Sequence, residues 1–396
     1  MRGGLTERPP LRLTSRMSFG RGLLLAIAVG CACAFAPIAS GRTVAPGAAS
    51  TAAFTYTDPE YRGWPVAPVD EEHPVRAGFV DPRYGGYHAG VDVTVRDNQP
   101  EDGAPAGRTH RVYAVDGGVA SYDPTATAER SCAARVVSVG HFSYGHVDPV
   151  GVVEAGQFVT PRQQIGWTCA GQWHVHVTEW QVVRGQLVRV NPLRPGGKLW
   201  PYSDGAAPVI HEIRFFELPQ WSLDLLMPWA DDGAVAATSD VLQGVVDMRA
   251  SISDPQSLGN AGAVNSTLMR LRNAIAPYRL HLEVRRLGAR RDLIDRDVFR
   301  GDVALTLDRG RHGGALLFGS LYAPGTSPAL GAEACLATAD GAGCQGTYSY
   351  RLFATSTSRY WDTRFYRNGR YRVDITAWDA WGNATSKTVV VRVANG

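Results

Sequence analysis

The sequence predicts an all-β protein built as two successive domains. Three observations carry this. From about residue 54 onward, short runs rich in valine and aromatic residues alternate with turns of Gly, Pro and Asp, the punctuation of strands. Within the clearest runs apolar residues recur with period two, and no helical period develops between residues 54 and 198. At 396 residues, with 44% hydrophobic and 19% charged, the composition is globular and the chain is too long for one ordinary domain.

The chain begins with Arg2, Arg8, Arg12, Arg16 and Arg21, then the apolar stretch from Gly22 to Ala36. Small residues follow, with acceptable cleavage sites at Ala32-Cys33-Ala34 and Ala39-Ser40-Gly41. This is the order of an export signal, assigned to residues 1–41, and it implies a periplasmic or extracellular protein. The apolar stretch is short for a membrane span, so none is expected in the mature chain. Ala28-Val29-Gly30-Cys31 only faintly resembles a lipoprotein box, because the usual apolar first position is missing. Residues 42–53, rich in Ala, Gly, Thr and Ser, read as a flexible linker.

Between 54 and 200 the strands carry most of the histidines: seven of the ten fall between residues 73 and 176. His88-Ala89-Gly90-Val91-Asp92 precedes the strand-and-turn run Val112 to Val119. Tyr144-Gly145-His146-Val147 ends another strand. In Gln172-Trp173-His174-Val175-His176-Val177-Thr178, the period-two pleat sends Trp173, Val175 and Val177 to one face and His174, His176 and Thr178 to the other. A His and an Asp from a second segment would complete a His/Asp/His set. Three such ligands plus an open position characterise a catalytic rather than a structural zinc. His211-Glu212 begins like a helical zinc motif, but Phe215 occupies the place of the second histidine, so no site is expected there.

Pro201 to Pro208 is the natural boundary, and residues 208–396 form the second domain. Strands are expected over Val209–Phe216, Val245–Ile252 and Tyr278–Leu282, with one short helix over Ser266–Arg272. The chain closes with a hairpin, Gly369–Asp379 and Lys387–Val393, turning at Ala380-Trp381-Gly382-Asn383. In an exported protein the four mature cysteines, two per domain, predict Cys132–Cys169 and Cys335–Cys344 disulfides. No CxxC supports a thiolate metal site. A net charge of +3 without Lys/Arg runs gives no basis for nucleic-acid binding, and a monomer is expected.

The residues between about 84 and 182 resemble the lysostaphin/LytM-type zinc endopeptidases. His88-x-Gly90-x-Asp92, Tyr144-x-His146, Gly156-Gln157-Phe158-Val159, Gln164-Ile165-Gly166 and His174-x-His176 follow one another in that family's order and approximate spacing. The resemblance implies an antiparallel β-sheet peptidase domain over 54–200, with His88, Asp92 and His176 as zinc ligands. It implies His146 and His174 as the non-ligand catalytic histidines, and the peptide cross-links of bacterial peptidoglycan as substrate. Glu179 or a backbone carbonyl is a further candidate to orient a ligand imidazole. The segment Trp167–Trp173 departs from the family's usual Thr-Gly loop, and Val177 replaces a common aromatic, which bears on the substrate pocket rather than on the ligands. The terminal hairpin is similar to that of bacterial immunoglobulin-like sandwiches, with spacer as the default role. The principal alternative is a catalytically inactive regulator of another wall hydrolase on the same fold. An adhesive surface protein with incidental histidines is the third reading.

Overall fold

The computed structural model describes residues 62–83, 86–95, 99–129, 131–218, 235–237, 239–256, 274–302, 321–323, 348–353 and 360–396. Those residues are essentially all-β, 49% strand and 5% helical, as the period-two alternation requires. The export signal, the linker over 42–53, the helix expected at Ser266–Arg272 and the Cys335–Cys344 pair lie outside the described residues.

The first half contributes short strands in rapid succession. They are β1 (Val75–Ala77), β2 (Pro82–Arg83), β3 (Gly86–Tyr87), β4 (Val91–Thr94), β5 (Arg108–Tyr113), β6 (Gly118–Val119) and β7 (Val136–Val139). After these come β8 (Phe142–Gly145), β9 (Val147–Asp148), β10 (Phe158–Val159), β11 (Gln164–Cys169), β12 (His174–Val183) and β13 (Gln186–Val190). The principal sheet runs β1-β4-β12-β8-β7, with β13 also paired to β12, and every ladder in it is antiparallel. A smaller sheet, β5-β11-β9, accompanies it. The valines that alternate through these strands are the core: Val91, Val93, Val137, Val139, Val175 and Val177 are all fully buried. One six-residue helix, Pro124–Glu129, interrupts the β pattern. Proline suits a first helical position because the N–H it lacks would be unpaired there anyway.

The second half continues with β14 (Val209–Glu217), β15 (Val235–Ala236), β16 (Val241–Leu242), β17 (Val245–Pro255), β18 (Ala274–Ile275) and β19 (Arg279–Arg286). It ends with β20 (Ile294–Arg300), β21 (Tyr348–Arg351), β22 (Trp361–Asp362), β23 (Gly369–Trp378) and β24 (Ala384–Val393). Strands group as β15-β14-β17-β18, with β21 and β22 also on β17, and as β16-β24-β23-β19-β20. The hairpin β23/β24 closes at Trp378 opposite Ala384, as the sequence suggests. Leu280, Leu282 and Leu242 from one sheet, and Met248, Ala250 and Ile252 from the other, are buried in a common core.

The two halves meet through buried contacts. The Gln256 amide takes the place of a strand beside Val75, accepting from its N–H and donating to its carbonyl. The Asp81 carboxylate, fully buried, accepts from the N–H groups of Gly78 and Ala276 and from the Tyr348 hydroxyl. Tyr87 packs against Phe299 and Tyr322, ring centroids 5.8 and 6.4 Å apart. The stretch 201–208 contains no strand, yet its Tyr202 and Asp204 are buried, and Tyr202 packs against Trp64 and Trp381.

Candidate metal centre

Register in the principal sheet brings the candidate residues together. β12 lies between β4 and β8, and the pairs His176↔Asp92 and His176↔Gly145 place three positions in one row across three strands. The intervening Val175 and Val177 face the core, so His174, His176 and Thr178 share the opposite face. His88 enters from the segment just before β4. Close approach of β4 and β12 explains Gly90: a Cβ there would lie 2.2 Å from the Val177 carbonyl oxygen. Gly145 is small for a related reason, because a Cβ would lie 3.2 Å from Cβ of His176. Trp173 differs from its expected place in the strand. It has φ of 54° and belongs to the turn, so β12 begins at His174.

Three potential ligand atoms form a tight triangle. His88 Nε2 lies 2.8 Å from His176 Nδ1 and 3.0 Å from Asp92 Oδ1, and His176 Nδ1 lies 3.0 Å from the same oxygen. His88 and Asp92 are buried, and His176 is partly exposed. His88 Nδ1 donates to the Gly78 carbonyl at 2.8 Å, since a carbonyl can only accept. In neutral His88 the proton is therefore on Nδ1, and Nε2 turns a lone pair toward the carboxylate lone pairs of Asp92. Two acceptors 3.0 Å apart repel unless a proton or cation lies between them. Tetrahedral ligands at zinc bond lengths sit about 3.3 Å apart, so a small opening of this triangle accommodates the ion. The donor set of two imidazoles and a carboxylate, with a backbone carbonyl fixing one imidazole, fits such a metal. Burial works against charge on Asp92, but the facing His88, His174 and His176 overcome it and hold the carboxyl well below its ordinary range.

His146 and His174 flank the triangle. Their ring centroids are 4.7 Å apart, and the His146 ring is 6.5 Å from that of His176. His146 occupies the left-handed region at φ 64°, turning the chain between β8 and β9. Its Nδ1 donates to the Ala133 carbonyl. Its backbone N–H donates to Arg135 O, and its carbonyl accepts from Cys169 N–H. The Cys132–Cys169 disulfide, with Cα atoms 5.6 Å apart, joins the two segments that make these contacts. Desolvation lowers the His146 pKa below that of an ordinary histidine. His174 Nδ1 faces both the Gln172 carbonyl and, at 3.1 Å, Arg76 Nη1, and only one of these bonds forms in a given tautomer. Its Nε2 lies 3.8 Å from Asp92 Oδ2. Burial, assisted by the Arg76 charge and opposed by Asp92, lowers His174 to about 3, so it is held neutral.

The structure thus brings His88, Asp92, His146, His174 and His176 into one cluster. Glu179 is not part of it: its carboxylate is gripped by both terminal nitrogens of Arg194 at 2.7 Å. It lies an odd number of residues from His174 and His176, on the other side of the strand. Thr178, on the face the pleat gives it, brings its hydroxyl 3.0 Å from His176 Nε2, whereas Arg76 is a contributor that the sequence did not single out. No residue pattern marks Arg76, because its proximity depends on the β1–β4 pairing. No protein-family model matches the chain, and no curated protein does either.

Proposed function

We propose that residues 54–200 form an exported, LytM-type zinc endopeptidase domain that hydrolyses peptide cross-links of bacterial peptidoglycan. In this reading residues 208–396 form an immunoglobulin-like sandwich. The observation that carries it is the His88–Asp92–His176 triangle with two further, non-ligand histidines against it, in the order and spacing of that family's motifs. A zinc ion held by His88 Nε2, Asp92 and His176 Nδ1 would supply Lewis acidity, acidifying water and polarising the substrate carbonyl.

The remaining chemistry belongs to the chain. With Nδ1 committed to Ala133, neutral His146 keeps Nε2 free to accept a proton from the attacking water and return it to the leaving amine. Burial disfavours a positive charge on His174, Asp92 only partly compensates and Arg76 adds to the penalty, so His146 is the better general base. His174 is the candidate to orient the substrate and, when Arg76 occupies Nδ1, to donate from Nε2 to a developing oxyanion. The Cys132–Cys169 disulfide agrees with an oxidising compartment. Among the described residues no helix is long and apolar enough to cross a membrane.

The test is mass spectrometry of fragments released from purified peptidoglycan by the zinc-loaded chain and by His146→Ala. Soluble peptides with new termini, absent with the variant, are expected. Intact wall after prolonged incubation with a zinc-loaded, folded protein would reject the enzyme and leave the regulator.

A further inference from the structure

Three carboxylates converge far from the histidines in sequence. Asp204 lies in the stretch joining the two halves, Asp254 near the end of β17, and Asp379 immediately after β23 at the turn of the terminal hairpin. All three are buried, with 7%, 2% and 4% of their surface exposed. One oxygen of each lies within 4.8 Å of one oxygen of both others. We propose that Asp204, Asp254 and Asp379 form a second metal site, for a calcium-type divalent cation, that fastens the seam between the two halves.

Two observations separate this cluster from an ordinary group of acidic side chains. First, Oδ1 of Asp254 is buried and has no hydrogen-bond partner, although the side chain faces two other carboxylates. A buried, unpaired carboxylate oxygen is costly and rare. Second, the neighbours already hold their carboxylates in place. Asp379 Oδ1 accepts from the N–H groups of Trp381 and Asn383, and its Oδ2 accepts from the Asn383 amide. Asp204 Oδ1 accepts from Ala206 N–H, and its backbone carbonyl accepts from the same Asn383 amide. The oxygens are therefore preorganised by loops from separate parts of the chain.

The charges that act most on Asp254 are all negative: after burial itself come Asp204, Asp379 and Asp81, and together they push its carboxyl up to about 9. Something positive must neutralise it, and the choice is a proton or a metal ion. Two oxygens bound to one calcium are at most twice the Ca–O distance apart, about 4.6–5.2 Å, and the three oxygens fall within about that limit of one another. Hard oxygen donors favour calcium over zinc here, just as the imidazoles favour zinc at the other cluster. Magnesium prefers shorter bonds and near-ideal octahedral geometry, which suits three carboxylate oxygens spread over as much as 4.8 Å poorly.

The test uses the full, zinc-loaded chain stripped of calcium. Calcium should raise Tm in proportion to the logarithm of its concentration once above Kd, on the order of 5 °C at a hundredfold excess over Kd, with a much smaller response to magnesium. Terbium should bind with luminescence sensitised by neighbouring aromatic side chains, among them Tyr202, whose hydroxyl bonds Asp204, and calcium should quench that emission by displacement. Asp254→Asn should abolish both responses, whereas Trp381→Phe should keep the calcium-induced Tm shift. A wild-type Tm indifferent to millimolar calcium would show that protonation neutralises the cluster and would overturn the proposal, whether or not Asp254→Asn folds. Undiminished terbium emission from Asp254→Asn would place the ion elsewhere and overturn it as well.

Discussion

Gly90→Ala isolates the strand contact on which the candidate metal centre depends. The added Cβ would sit 2.2 Å from the Val177 carbonyl oxygen and 2.8 Å from its carbon, both backbone atoms that cannot rotate away. Reaching 3.0 Å, the least separation real Cβ atoms show, requires β4 and β12 to part by at least about 0.8 Å. That shift acts two residues from Asp92 and at the neighbour of His176, so it opens the 3.0 Å pair between Asp92 and His176 directly. Zinc sites tolerate deviations of about 0.2 Å, several times less. Overpacking of this kind costs about 1–3 kcal/mol, and a misplacement near 1 Å can cost about 100-fold in rate. The expected result is a lowered Tm even in metal-free protein, a zinc Kd raised at least tenfold in chelator competition, and peptidase activity reduced about 100-fold. Gly145→Ala, whose Cβ meets only the His176 side chain at 3.2 Å, should be milder in every readout. If Gly90→Ala binds zinc as tightly as wild type and melts at the same temperature, the close approach of these strands does not shape the site.

Four further outcomes follow from the same geometry. Alanine at His88, Asp92 or His176 should remove most of the zinc seen by elemental analysis, and stoichiometric metal in His88→Ala would refute that assignment. Alanine at His146 or His174 should leave zinc bound but reduce turnover about 10²–10⁴-fold, measured on the same peptidoglycan fragments. Asp81→Ala leaves the donors of Gly78, Ala276 and Tyr348 without their carboxylate. It should cost about 3–5 kcal/mol in denaturant unfolding and weaken zinc binding through Gly78, whereas Tyr348→Phe should cost only about 1 kcal/mol. Burial opposes ionisation of Asp116, but hydrogen bonds from His141 and Lys198 outweigh it and lower its pKa. A depressed carboxyl contributes stability above its unfolded pKa and loses it as pH falls through the folded one. Asp116→Asn should therefore be destabilised at pH 7 by about 1–3 kcal/mol, with the gap to wild type closing below about pH 4. A gap that persists unchanged at pH 2 would show that charge is not its cause.

The sequence by itself determined the β class and, within its clearest strands, the face a residue takes. Period two in Val175–Val177 and in Gly369–Trp378 is a local property, because successive side chains of a strand must point oppositely. It was enough to place His174 and His176 on one face and the hairpin turn at Ala380–Asn383, while two cysteines per domain paired Cys132 with Cys169. Motif order likewise picked out His88, Asp92 and His146. Only the tertiary structure decided what stands beside what. Strand order is non-local: β12 pairs with β4 and β8 across long stretches of chain, and this pairing, not any spacing, brings Asp92 opposite His176 and Arg76 to His174. The same cause assigned Glu179 to Arg194 rather than to a ligand imidazole. It also gathered Asp204, Asp254 and Asp379, which occupy three distant segments with no shared motif. Side-chain direction is written in adjacent residues, but proximity depends on which distant backbones find one another, and that choice is made by packing the whole core at once.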